Sequence, residues 1–216
     1  MRYAHIFGPV RSRRLGLSLG IDLIAAKTCS LDCIYCECGS TNLLSTRRNE
    51  YIPKAAIMAE LEDALERKPS IDYVTLGGSG EPTLNTAFTP LVHFLKERYP
   101  QYRVALLTNG TLLGDPDVRE GALCCDVVLP SLDAISEEVF ATINKPAPHL
   151  TSQLLIERLV AFSKEYRGAL WVEIFIVPGV NDTPEELSLF KKTLARIRAD
   201  RVQLNTLDRP GVAIYG

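Results

Sequence analysis

The sequence predicts an α/β protein built on a parallel sheet. Two patterns carry this expectation: short apolar runs rich in Val, Ile, Leu and aromatics, and amphipathic stretches at helical spacing between them. Their regular alternation predicts strand–helix–strand units with right-handed crossovers.

The apolar runs, most of them ending near Gly, Asn or Pro, are Leu17–Ile24, Tyr73–Leu76, Val104–Leu107, Val127–Leu132, Trp171–Val177 and Val202–Leu204. Their length and composition suit strands covered on both faces. Pro53 starts the first helix, with Ile57, Leu61 and Leu65 on one stripe. Thr89-Pro90 starts a second that buries Leu91, Phe94 and Leu95, and Leu155, Leu159 and Phe162 mark another. The clearest start is Thr183-Pro-Glu-Glu186, a capping box with Pro at the first helical position, followed by Leu187, Phe190, Leu194 and Ile197. Six such units suit a doubly wound sheet or an incomplete barrel, and periodicity does not choose between them. We expect one domain over 1–216, cut after the sixth strand or completed there by something else, because DRPGVAIYG leaves no room for a covering helix.

A hydrophobic content of 46% and a charged content of 23% are those of an ordinary globular protein. The net charge of −2 gives no global basic field for a polyanion. The segment Arg11-Ser-Arg13-Arg14, which Arg47 and Arg48 could extend, reads more readily as a solvated or salt-bridged face than as a phosphate site. The opening MRYAHIFGPVRSRRLG lacks a signal-peptide core and no membrane-length apolar run follows, so a cytoplasmic location without membrane contact is the expectation. Only His5, His93 and His149 are available as histidines, and no Ser/His/Asp arrangement is evident.

Chemistry enters with Cys29-Ser-Leu-Asp-Cys33-Ile-Tyr-Cys36, on the loop after the first predicted strand. Three thiolates on a tight loop can hold three irons of a cubane cluster, leaving the fourth iron open to a substrate or cofactor. Zinc more often takes paired CxxC ligands, and no second pair occurs. Cys38 reads as a bystander, and Cys124 and Cys125 as small core residues.

With Tyr35 just before the third cysteine, this spacing resembles the signature of the radical S-adenosylmethionine superfamily. The longer stretch from FGPVRSRRLGLSLGIDL through Lys27-Thr-Cys29 to Cys36 is similar to the Fe–S oxidoreductases related to the wyosine-base tRNA synthases. The resemblance implies a partial (β/α)6 TIM-like barrel over essentially the whole chain. It implies a [4Fe–4S] cluster on Cys29, Cys33 and Cys36, with S-adenosylmethionine as second cofactor. An external one-electron reductant such as flavodoxin or ferredoxin would complete the system.

The strand ends supply the remaining candidates. Gly77-Gly78-Ser79-Gly80-Glu81-Pro82 exposes backbone to a ligand and is similar to the superfamily's glycine-rich motif, which receives the cofactor's amino group. Thr108-Asn109-Gly110 fits a simple turn, or by resemblance a place beside the cofactor. Ser131 and Asp133 share one face at the end of an apolar strand, where a buried carboxylate needs partners. Glu173 pairs with a cation or lines the lumen, and Gln203 and Asn205 share one face of the last strand. By resemblance the turn through Asn181 packs on the adenine. Thus Gly78, Gly80, Glu81, Asn109, Ser131, Asp133 and Asn205 are expected to position the cofactor, with Tyr35 packed beside them.

The expected reaction is reductive cleavage of S-adenosylmethionine to a 5′-deoxyadenosyl radical that takes hydrogen from a substrate. Two substrate readings stand within that class. The N-terminal stretch favours tRNA-base modification, and Glu81-Pro82 favours glycyl-radical activation of a protein. An iron–sulfur electron carrier is the non-enzymatic alternative, and a structural zinc module a further one.

Overall fold

A computed structural model describes residues 3–12, 14–24 and 27–206. Strand β1 (Ile6–Ser12) runs antiparallel to β2 (Gly16–Ile21). A short pair, β3 (Thr28–Cys29) and β4 (Leu43–Leu44), frames the cysteine loop, and then α1 (Lys54–Glu66) leads to β5 (Tyr73–Leu76). The chain continues through α2 (Phe88–Arg98), β6 (Arg103–Thr108), α3 (Pro116–Leu123), β7 (Val127–Pro130), α4 (Glu137–Ile143) and α5 (Ser152–Glu165). It closes with β8 (Ala169–Phe175), α6 (Pro184–Leu194) and β9 (Arg201–Asn205). The stretch after the last strand, DRPGVAIYG, lies outside the described residues.

The sheet order is β1-β2-β5-β6-β7-β8-β9, and from β2 onward every pairing is parallel. Strands laid down in chain order progress in one direction only. A doubly wound sheet reverses direction in the middle, so this is the order of a partial barrel. The register sorts side chains into two rows. Leu19, Val74, Val104, Val128 and Val172 face the helices in one continuous core. Tyr73, Ala105, Val127 and Leu129 meet on the concave face. At the N-terminal ends of the strands Arg103 stacks over Tyr73 and Arg201 over Trp171, each 4.6 Å from the ring centre. The opposite, carboxyl ends carry the polar residues.

All six expected strands are present; Tyr73–Leu76 keeps both ends, and the others shift at one or both ends by up to three residues. The antiparallel β1 was not expected: FGPVRS is almost wholly exposed and carries no core periodicity. Nor were α3 and α4, which at eight and seven residues are too short to show a stripe. Helix α2 begins at Phe88 rather than at Thr89-Pro90, because the Asn85 Oδ1 accepts from the Ala87 N–H at 2.8 Å and starts the turn earlier. Phe94 there is half-buried.

Helix α6 is capped as expected by Thr183, whose hydroxyl accepts from the Glu186 N–H at 3.2 Å. Glu186 does not return the bond. Its carboxylate is buried and accepts from the Ile135 and Ser136 N–H groups at 2.5 and 3.0 Å. This turns the buried stripe onto Glu186, Phe190, Thr193 and Ile197, and Leu187 stands 49% exposed rather than in the core. Thr183→Ala is expected to lower stability by about 1 kcal/mol, read as an earlier urea midpoint. No described helix is long and apolar enough to cross a membrane.

Candidate active site

The cysteine loop is held from three sides. Asp32 and Ile34 donate backbone N–H groups to Asn144 and Ile143 at the end of α4, each at 2.9 Å. The Ser30 and Thr111 hydroxyls bond at 2.6 Å, and Asp32 Oδ1 accepts from the Thr41 N–H at 2.7 Å across the loop. Cys29, Cys33 and Cys36 thereby line one cleft of about 230 Å³ at the carboxyl ends of the strands. Burial pushes the Cys29 thiol up to about 11, and burial together with Asp133 raises Cys33 further. Hydrogen bonding with Cys38 brings Cys36 down to about 5 against the pull of burial, and Lys27 helps.

Two of the thiols have an amide donor from outside the loop. Asn109 Nδ2 lies 3.5 Å from the Cys29 sulfur and Asn144 Nδ2 lies 3.3 Å from that of Cys33. Lys27 is 7% exposed, lines the same cleft, and its Nζ has no hydrogen-bond partner among the described residues. Cys38, expected as a bystander, also faces this cleft and donates to the Gly78 carbonyl at 3.6 Å. Cys125 is buried, but Cys124 is exposed, beside His93 at 3.8 Å, and does not belong to the core.

The glycine-rich turn forms the opposite wall. Asp22, which the sequence reading missed, takes the Ser79 N–H at 3.0 Å and the Ser79 hydroxyl, fixing the turn. A Cβ on Gly78 would stand 2.4 Å from the Asp22 carboxyl carbon, and one on Gly80 would stand 2.0 Å from the Thr28 carbonyl oxygen. Only glycine lets this turn lie directly on the cysteine-loop backbone. Glu81 is buried at 2% exposure, and burial raises its carboxyl. Its oxygens accept from the Thr83 and Thr108 hydroxyls at 2.5 and 2.7 Å and from the Asn109 N–H at 2.7 Å. Glu81 therefore ties β5 to β6, and Asn109 is spent on the loop through Ser30 at 2.8 Å and Cys29.

A second cleft of about 250 Å³ adjoins the first and shares Cys36, Ser131 and Glu173 with it. Here the Tyr35 and Phe175 rings stack with centres 4.0 Å apart. Asp133 accepts from the Tyr35 hydroxyl at 2.5 Å, the Asn144 amide at 2.9 Å and the Phe175 N–H at 2.9 Å. Burial raises its carboxyl. Asn205 donates to Glu173 at 2.8 Å, and Arg14 forms an ion pair with the same carboxylate. Asn181 bonds the Asp133 and Phe175 carbonyls at 2.8 and 2.7 Å, locking the turn after β8.

The structure thus groups Cys29, Cys33, Cys36, Gly78, Gly80, Glu81 and Asn109 in the first cleft. It places Tyr35, Asp133 and Asn205 in the second, with Ser131 common to both. Arg48 is committed to Asp115 and Asp117 at 3.2 and 2.6 Å, and Arg11 is exposed. Arg13 lies outside the described residues.

Among the described residues no three His, Cys, Asp or Glu side chains converge on one point as a single metal ion requires. A cubane engages one thiolate at each of three corners, so thiols set around a cleft fit it better than they fit zinc. The amide donors aimed at sulfur, and the buried ammonium beside them, suit an anionic metal–sulfur group.

Residues 23–190 match the Radical SAM superfamily. The chain belongs to that superfamily. A Brachyspira hyodysenteriae protein named GTPase Obg is 39% identical over 209 residues, spanning 97% of this radical SAM chain and 31% of that protein. A Helicobacter pylori UPF0026 protein is 36% identical over 207 residues, 95% of this chain and 67% of its own length. Streptococcus suis SuiB, solved with S-adenosylmethionine bound, superposes with a TM-score of 0.62 at 15% identity over 91% of this chain and 39% of SuiB. The likeness to SuiB is one of fold, and the partial barrel is the radical SAM architecture.

Proposed function

We propose that this chain is a radical SAM oxidoreductase holding one [4Fe–4S] cluster on Cys29, Cys33 and Cys36 and binding S-adenosylmethionine beside it. One observation carries this reading: three thiols in the CxxxCxxC order face a single cleft whose other walls are exposed glycine backbone and polar strand ends. When bound, the cluster supplies the electron that cleaves the cofactor's carbon–sulfur bond and so provides a hydrogen-abstracting species.

The chain's own contribution is placement and exclusion of water. The Gly77–Gly80 backbone, held by Asp22, offers peptide carbonyls to an amino group in the first cleft. Ser131 and Glu173 present polar groups where the two clefts join, with Asn205 beside them in the second, suited to hydroxyls of a ribose. Tyr35, stacked on Phe175 and tied to Asp133, covers Cys36 from the side of the lumen. Glu81 and Asn109 hold the framework rather than reach a ligand through their polar atoms.

Anaerobic reconstitution with iron and sulfide tests the proposal. The wild type is expected to develop a cluster absorbance and EPR signal, and Cys33→Ala to lose both. Under dithionite the loaded protein should release 5′-deoxyadenosine from S-adenosylmethionine. A cluster-bearing protein that releases none would be an electron carrier, and the enzymatic reading would fall.

A further inference from the structure

We infer that the Asn109 and Asn144 amides give Cys29 and Cys33 each its own donor, and that these together with Lys27 buried in the same cleft, its charge above all, raise the cluster's reduction potential. The inference rests on the proposed assignment of the three cysteines. The donors come from three separate places: the turn after β6, the C-cap of α4, and the residue two before the first cysteine. Yet two of them reach different sulfurs and the third lines the cleft that the cysteines share.

Each donor is fixed by other contacts. Asn109 Oδ1 accepts from the Thr111 N–H at 3.0 Å, so its amide is oriented toward Ser30 and Cys29. Asn144 is buried and divides its amide between the Cys33 sulfur and Asp133 at 2.9 Å. Lys27 has φ of 39°, a left-handed conformation unusual for lysine, held by its carbonyl accepting from the Asn42 N–H at 3.0 Å. That backbone turns a long cationic side chain into the cleft instead of out to solvent.

A buried ammonium without an acceptor is costly, and the cost is relieved by an anion in the same space. A cubane on three thiolates is such an anion. It gains a further negative charge when it takes up one electron, with no bond made or broken. Hydrogen bonds to sulfur and a nearby positive charge stabilise that reduced state more than the oxidised one. Lys27 is therefore a positioning and tuning residue, acting through the cluster and not on substrate.

The test is an EPR-monitored redox titration of the anaerobically reconstituted full chain. Lys27→Met is expected to shift the midpoint to lower potential with iron and sulfide per chain unchanged, while Lys27→Arg stays near the wild type. Asn144→Leu should shift it the same way, by less. A fully loaded K27M with the wild-type midpoint overturns the inference, as does loss of the cluster in K27M alone, which would make Lys27 an assembly residue. If K27M does not fold, an unshifted midpoint in Asn144→Leu overturns it instead. A wild-type chain that takes up no cluster overturns the assignment of the cysteines.

Discussion

Gly80→Ala is expected to destabilise the protein by about 1–3 kcal/mol and to leave it largely without cluster after reconstitution. The added methyl carbon would stand 2.0 Å from the Thr28 carbonyl oxygen and 2.9 Å from Ile24 Cγ2. The carbonyl cannot retreat at low cost, because it accepts from the Glu81 N–H at 3.2 Å and belongs to the β3–β4 pair that opens the cysteine loop. Either the glycine-rich turn lifts or the loop moves, and both separate the walls of the first cleft. Urea unfolding monitored by circular dichroism gives the first quantity and iron per chain gives the second. A wild-type midpoint in the variant would show that the turn is not packed on Thr28 as described.

The second large effect is expected at Asp133. Asp133→Ala leaves the Phe175 N–H and the Asn144 amide without their acceptor and releases the Tyr35 hydroxyl. Buried donors left unsatisfied cost about 1–3 kcal/mol each, so a loss of about 3 kcal/mol follows. Tyr35 should lose its fixed stack on Phe175, seen as a change in near-ultraviolet circular dichroism. The carboxyl also predicts a pH dependence. Burial raises Asp133 in the folded chain above its unfolded value near pH ~4. Between those values the folded state holds the extra proton, so the Asp133 contribution to stability falls as pH rises through that window and is flat above it. Asp133→Asn should reduce the slope of stability against pH there, and an unchanged slope would assign the dependence to Glu81, whose carboxyl is raised in the same direction.

Strands β5, β6 and β7 were legible in the sequence because each is a short run covered on both faces, and covered strands advertise themselves by composition. Strand β9 carries the same apolar signal although Val202 and Leu204 stand 44% and 68% exposed. Strand β1 was not legible, since Phe7, Val10 and their neighbours are largely exposed and carry no core periodicity. The choice of barrel over doubly wound sheet followed from strand order, which no local pattern encodes. At the proposed site, the spacing of Cys29, Cys33 and Cys36 singled them out, and the three line one cleft. The polar strand ends were legible as a group but not in their tasks. Glu81 and Asn109 look the same in sequence whether they hold a ligand or hold the loop, and only the distances to Thr83, Thr108, Ser30 and Cys29 separate the two. Asp22 and Asn144 carried no signal at all, because each is an isolated polar residue whose partner lies 57 or 111 positions away.

The diverted carboxylate of Glu186 has a consequence for how this molecule opens. By taking the Ile135 and Ser136 N–H groups, it fastens the first turn of α6 to the entry of α4. The loop between β7 and α4 carries Asp133, itself bonded to the end of β8, so the loop is pinned at two points. Two amides in an irregular connection are then expected to exchange with solvent as slowly as helix amides do. Fraying of α6 and exposure of the loop become a single event, a cooperative unit spanning two helices rather than two independent fluctuations.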